Sequence, residues 1–314
     1  MRILITGGSG FIGHHVVEHF SNHDITILDR LDTSGNQNRL DDIDFRGRFI
    51  FHDLKAEINE HLAKQIGPQD VIIHIAAGTH VDRSITNPMS FVMDNVVGTC
   101  NLLEYARKYG CEKFVYFSTD EVFGPAPVGY EFKEWDRYKS SNPYSASKAG
   151  AEELCIAYHN TYSTPVIITH CMNVFGERQH PEKFIPIVIR KILAGERIQI
   201  HGNGVFASSR YYIHAENVAR AVDFLLSEGQ VGEKYNIVGE REVPNDELVE
   251  MVSKIMEMPA DYEIVDCDEQ RPGHDMRYAL DGTRLQEMGF EHTIPLQEGL
   301  EQTIRFSLAY PQWL

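Results

Sequence analysis

Residues 2–22, RILITGGSGFIGHHVVEHFSN, decide how the rest of the chain is read. RILIT (2–6) is an unbroken apolar run of strand length, and HHVVEHFSN (14–22) reads as a helix. Between them, TGGSGFIG (6–13) sets Gly7, Gly10 and Gly13 at a regular spacing. Glycine permits a tight turn and lets backbone N–H groups approach a phosphate, and the positive end of the helix dipole draws the negative charge. A glycine triplet alone says little. One that follows a strand and opens a helix is a dinucleotide-binding signature. The next strand, ITILD (25–29), ends on Asp29, 19 residues beyond Gly10. A carboxylate there accepts the ribose hydroxyls and repels a 2′-phosphate, which selects NAD over NADP. Arg30, next to it, is a cation able to offset part of that repulsion.

The same rhythm continues. RFIFHD (48–53), VIIHIAA (71–77), KFVYFST (113–119) and VIITHCMN (166–173) read as strands, with helices at 57–66, at 88–109 and after Pro143. Short apolar strands separated by helices predict a parallel sheet covered on both faces. That is the α/β class, a doubly wound parallel sheet of the Rossmann kind. Past residue 175 the pattern changes to a helix (183–194), the strand IQIHG, a helix (218–229), the strand KYNIV (234–238) and helices at 244–257 and 295–309. The expectation is a dinucleotide-binding domain over 1–175, rejoined by 215–240, and a smaller C-terminal substrate-binding lobe over 176–314. Asp53, closing the third strand, either reaches the adenine or caps the helix that follows.

A formal net charge of −17 argues against nucleic acid and acidic membrane surfaces as partners. No apolar run approaches the roughly 20 residues of a membrane helix, and Met1 leads directly into a strand, so a soluble cytoplasmic protein is expected. Cysteines 100, 111, 155, 171 and 267 have no metal or redox spacing and read as reduced core thiols, with no metal site.

Two stretches carry chemistry. FVYFSTDEVFG (114–124) runs from a buried strand into Thr119, Asp120 and Glu121, two acids that repel each other. SNPYSASKAG (141–150) sets Tyr144 and Lys148 one helical turn apart on one face, with Asn142 and Pro143 suited to the cap and first turn. An ammonium beside a phenol favours phenolate and so lowers the tyrosine pKa, as a general base requires.

With AAGTHVDRSI (76–85), NVFG and HPEKFIP (within 173–186) and RPGHDMRYALD (271–281), these motifs resemble the extended short-chain dehydrogenase/reductases acting on nucleotide sugars. Within that family the chain looks like the NDP-glucose 4,6-dehydratases, over nearly its whole length. The resemblance implies a hydro-lyase of deoxysugar biosynthesis. Tyr144 would take the C4 hydroxyl proton while C4 gives hydride to NAD⁺, and Thr119 would hydrogen-bond the C4 oxygen. Glu121 would remove the C5 proton, and protonated Asp120 would donate to the departing C6 hydroxyl before hydride returns to C6. Elimination needs an acid and a base at neighbouring carbons, which answers why two carboxyls stand together. Consecutive strand residues point to opposite faces, so the backbone must leave extended geometry by Asp120.

The resemblance also implies that Phe11, Ile12, Leu54 and Ala76 join Gly7, Gly10, Gly13, Asp29, Asp53, Tyr144 and Lys148 in holding NAD. Arg210 and Arg271 would hold the nucleotide diphosphate through their guanidinium forks. His80, Asn173, Lys183 and His274 match substrate-side positions. For His80 a structural hydrogen-bonding role is an equal reading, and Lys183 and His274 have ordinary polar readings beside the functional one. The helices following Asp94 and Tyr144 would form a homodimer interface. Gly78 replaces an acidic residue of the family, Tyr211-Tyr212 replace Asp-Trp, and the 121–144 segment is short. These departures leave the base, thymine or uracil, and the hexose open. The alternatives are a 4-epimerase or 5,6-dehydratase on the same scaffold, and a non-catalytic NAD-binding protein.

Overall fold

The computed structural model describes residues 1–266 and 276–314. Its strands are β1 (Arg2–Thr6), β2 (Asp24–Asp29), β3 (Arg48–Phe51), β4 (Val71–His74), β5 (Lys113–Thr119) and β6 (Val166–Cys171), then β7 (Asn173–Phe175), β8 (Ile198–Gly202), β9 (Ser209–His214), β10 (Lys234–Ile237), β11 (Glu242–Pro244) and β12 (Tyr262–Asp266). Seven of them form one sheet in the order β10-β6-β5-β4-β1-β2-β3. Every pairing in it is parallel. The strand order reverses between β1 and β4, and open α/β sheets bind ligands beyond the carboxyl ends at such a switch point.

The apolar runs of the strands are explained by burial on both faces. Ile3 and Ile5 of β1 pack with Val16, Val218 and Leu225 of helices on one side. Leu4, between them, packs with Leu102, Leu103 and Cys155 on the other. A third core, around Phe175, Ile189, Leu248 and Leu300, holds the C-terminal elements together.

Three departures from the sequence expectation shape the cleft or its supports. The first helix is Phe11–His19, because Gly10 already serves as its N-cap and the end of the glycine loop is helical. The span read as one helix over 88–109 divides into Pro88–Phe91, a π-helical turn Val92–Val97 and Gly98–Tyr109. The strand read over 166–173 breaks after Cys171. Both neighbours of β6 end there, since Cys171 pairs with Thr119 of β5 and Ile237 of β10, the last residue of each. With no partner left, the chain turns at Met172, and β7 pairs with β9 in a separate sheet ordered β11-β9-β7. The chain later rejoins the large sheet through β10.

Cys100, Cys111, Cys155 and Cys171 are free thiols, and Cys267 falls outside the described residues. Among the described residues no helix is long and apolar enough to cross a membrane.

Candidate active site

A cleft of about 700 Å³ opens at the carboxyl ends of β1, β4 and β5. Its lining includes Gly7, Gly10, Phe11, Ile12, Gly13, Asp29, Asp53, Leu54 and Ala76. Thr119, Asp120, Glu121, Tyr144 and Lys148 line it too, as do His80, Asn173, Lys183 and Arg210. Arg271 and His274 lie outside the described residues.

At the glycine loop the protein's own backbone excludes a side chain at Gly7 and Gly13, and the buried Ile27 crowds Gly8. Gly7 has φ +74°, and a Cβ on it would stand 2.8 Å from the Ala76 backbone. A Cβ on Gly13 would stand 2.0 Å from the Gly7 carbonyl oxygen. Gly10 meets only that oxygen, at 3.1 Å, so little else crowds this part of the loop. Gly10 offers the helix no side-chain cap bond, which leaves first-turn N–H groups for an anion. Asp29 is held by backbone amides, Ser9 N–H to Oδ2 at 3.0 Å and Leu31 N–H to Oδ1 at 2.9 Å. A carboxylate so fixed keeps lone pairs for ribose hydroxyls. These residues fit a dinucleotide. Asp53 does not cap the next helix, whose cap is Asn59. It accepts the Lys55 N–H and pairs with the Lys55 ammonium at 3.2 Å. Arg30 is engaged by carboxylates of Asp32, Asp53 and Asp94.

At the end of β5 the backbone changes course where the chemistry requires it. Thr119 is extended, at φ −142° and ψ 151°, and Asp120–Phe123 form a 3-10 turn. The Thr119 hydroxyl accepts the Glu121 N–H at 3.3 Å, capping that turn, and donates to Asp120 Oδ1 at 3.0 Å. Both acids thereby line one cleft despite being adjacent. Asp120 is buried, and its Oδ2 has no hydrogen-bond partner. Burial pushes its pKa up to about 6. Glu121 is pushed up to about 7, by burial first and then by the charge of Asp120. Arg210 pulls both values back, and Lys183 pulls back that of Glu121. Two carboxyls titrating near neutrality can divide acid and base roles at physiological pH. Asn142 Nδ2 donates to Glu121 Oε2 at 3.2 Å, which also draws its value down.

The helix Pro143–Tyr162 begins with Asn142 and Ser145 in a reciprocal capping box and Pro143 in the first turn. Tyr144 and Lys148 are both buried on it. The expectation that Lys148 lowers the Tyr144 pKa is corrected here. Burial raises the phenol pKa, and the charges of Glu121 and Asp120 add to the rise, which a hydrogen bond with Thr119 only partly offsets. The ammonium of Lys148 is turned elsewhere: it donates to the Phe117 carbonyl at 2.5 Å and lies 4.4 Å from the Tyr116 ring centroid. Its own pKa is lowered to about 8 by burial.

On the substrate side, Arg210 is buried on β9, donates to the Ser209 and Met276 carbonyls, and stacks 4.6 Å over the Tyr278 ring. Lys183 precedes the helix Phe184–Ala194, and Asn173 is exposed at the start of β7. His80 Nε2 stands 3.4 Å from Glu182, whose carboxylate also receives Arg83 at 2.8 and 2.9 Å. That contact favours its structural reading. Tyr212 lines the cleft and bonds Asn245 at 2.6 Å, whereas Tyr211 turns away to Glu131. Among the described residues no group of three or more His, Cys, Asp or Glu could hold a metal ion.

Sequence reasoning overlooked four contacts. Asn142 serves Glu121 as well as the helix cap, a role its place beside Tyr144 could have suggested. Ser84 Oγ accepts the Tyr144 N–H at 3.1 Å. Asn95 bridges Gly78 and Ser147. Tyr278 brings its hydroxyl within 3.5 Å of Glu121. The last three come from distant segments and carry no local signal.

Residues 3–238 match the model of the NAD dependent epimerase/dehydratase family. The dTDP-glucose 4,6-dehydratase of Salmonella typhimurium is 38% identical, over 100% of this chain and 94% of that one. Among solved structures, DesIV, the dTDP-glucose 4,6-dehydratase of Streptomyces venezuelae with NAD bound, aligns at TM-score 0.91 and 35% identity, covering 100% of this chain and 98% of that one. The UDP-glucose 4-epimerase of Thermus thermophilus, with NAD, aligns at TM-score 0.88 and 26% identity, covering 99% and 100%. The backbone is thus shared by two chemistries, and the side chains of the site must separate them.

Proposed function

The chain belongs to the NAD dependent epimerase/dehydratase family, and from that premise we infer that it is an NAD-dependent hydro-lyase converting dTDP-glucose to dTDP-4-keto-6-deoxyglucose. The observation carrying this reading over an epimerase is the Asp120–Glu121 pair, lifted out of β5 into the cleft with both pKa values raised towards neutrality. Epimerisation at C4 needs no such pair.

Tyr144 takes the proton of the C4 hydroxyl, with the Thr119 hydroxyl steadying the oxygen. NAD would supply the hydride acceptor and donor, and its cationic charge would favour the Tyr144 phenolate that burial opposes. A ketone at C4 acidifies the C5 hydrogen, which the Glu121 carboxylate, accepting the Asn142 amide, removes. Asp120 carries its proton on a buried, otherwise unpartnered oxygen and gives it to the C6 hydroxyl, which leaves as water. Arg210 meets the diphosphate, with Arg271 as its second cation, while Asn173, Lys183 and His274 bind on the substrate side. Gly7, Gly10, Phe11, Ile12, Gly13, Asp29, Asp53, Leu54, Ala76 and Lys148 serve the cofactor.

The division of labour we propose is cofactor binding by 1–175 with 215–240, and nucleotide-sugar binding mainly by 176–314. The return of β10 to the large sheet supports it. A cytoplasmic homodimer is also proposed, on the apolar side chains left exposed at Val92, Met93, Tyr109 and Tyr162 around the helices Gly98–Tyr109 and Pro143–Tyr162. The test is incubation of the purified protein with dTDP-glucose and, separately, UDP-glucose. Loss of one water and the alkaline absorbance of a 4-keto-6-deoxy sugar, faster from dTDP-glucose, is expected. Recovery of only a C4 epimer, or of unchanged sugar, would overturn the reading.

A further inference from the structure

Arg30 directly follows the ribose carboxylate Asp29, a place from which an arginine can take a 2′-phosphate. Its guanidinium is already engaged. Nη1 reaches Asp94 Oδ1 at 2.5 Å and Nη2 reaches Oδ2 at 3.1 Å, a two-point fork. Nη2 also meets Asp32 at 2.5 Å, and Nη1 lies 3.4 Å from Asp53. The Asp94 carboxylate is the buried member of the set, with a side chain 8% exposed against 55% for Asp32.

Asp94 arrives from 64 residues along the chain, on the π-helical turn Val92–Val97. A π-turn is rare and commonly found at functional sites. In this one, consecutive residues both serve the cleft wall: Asp94 takes Arg30, and Asn95 holds Gly78 and Ser147. The surroundings are rich in acid: among the described residues Asp29, Asp32, Asp53 and Asp94 gather with Arg30, with Lys55, which is 3.2 Å from Asp53 and 3.8 Å from Asp94, and with Arg39, whose charge couples to Asp29.

We propose that Asp94 is a cofactor-specificity residue: by clamping the Arg30 guanidinium in a buried two-point ion pair, it withholds that cation from a 2′-phosphate. Rejection of NADP then has two parts, repulsion by Asp29 and sequestration of Arg30. The proposal rests on the NAD reading above. Without Asp94, Arg30 keeps a pair with the exposed Asp32, a weak restraint, and the longer contact with Asp53. A freed guanidinium meeting a phosphate should tighten NADP binding by about tenfold or more.

The test is calorimetric measurement of Kd for NAD and NADP on cofactor-stripped protein. Wild type should prefer NAD; if it does not bind NAD more tightly than NADP, the cofactor reading fails and the proposal with it. Asp94→Ala should bind NAD within about threefold of wild type and NADP about tenfold more tightly. The double variant Arg30→Ala/Asp94→Ala should lose that gain. An unchanged NADP affinity in Asp94→Ala, or a gain that survives removal of Arg30, would overturn the proposal while leaving the NAD reading intact. Should Asp94→Ala fail to fold, the isosteric Asp94→Asn, which removes the charge and one of the two acceptors of the fork, decides: an NADP gain that Arg30→Ala abolishes supports the proposal, and no gain overturns it.

Discussion

Replacing Glu121 with glutamine should make the protein more stable and nearly inactive, and the stability change should depend on pH. The Glu121 carboxyl titrates at about 7 in the folded chain against an ordinary 4.5. Folding therefore favours the protonated form, and ionising it destabilises the fold. Well below pH 4.5 the group is protonated folded and unfolded alike, and no penalty exists; the penalty grows as pH rises from there and is complete above about 7. At about 1.4 kcal/mol per pKa unit the whole shift corresponds to roughly 3 kcal/mol. The side chain is half-buried, so solvent screening leaves about 2 kcal/mol. For a chain of 314 residues that is about 3 °C in Tm. Glutamine keeps an oxygen to accept the Asn142 amide, so little else changes. Thermal unfolding of the cofactor-free protein is the assay. The variant should melt about 3 °C above wild type near pH 8 and within about 1 °C of it near pH 5. Its turnover should fall by about a hundredfold or more. A Tm difference equal at both pH values, or a variant less stable near pH 8, would refute a buried, strained carboxylate.

Two further outcomes follow from the same geometry. Asp120→Asn removes the proton donor for the C6 hydroxyl but leaves Tyr144 in place, so reduced nicotinamide should accumulate on the enzyme while product formation falls by about a hundredfold or more; rapid-scan absorbance checks it, and normal product release would contradict the assignment. Gly13→Ala sets a Cβ 2.0 Å from the Gly7 carbonyl oxygen. The loop must shift, and a destabilisation of about 1–3 kcal/mol with weaker NAD binding is expected in denaturant titration and calorimetry; wild-type values for both would show that the loop yields freely.

Much of the site was legible because its signals are local. The glycine spacing names a loop whose demands are met within a few residues, Gly13 against Gly7. Asn142 and Pro143 mark a helix start that needs only its own first turn. The adjacency of Asp120 and Glu121 also required a turn after Thr119, which the 3-10 geometry supplies. The unbroken apolar run of β1 implied two covered faces, since side chains there alternate by necessity. What sequence could not tell was set by partners far along the chain. The strand over 166–173 breaks where β5 and β10 run out, which no property of VIITHCMN announces. Tyr144 and Lys148 share a helix face, yet the ammonium finds the Phe117 carbonyl and the phenol finds two carboxylates, so the local rule for their pKa values fails. Arg30 reads as a free cation until Asp94 arrives on a π-turn. Backbone preference and side-chain period act over neighbouring residues and can be read in order. Electrostatic environment acts through space, and only the packed chain decides which charges share a wall.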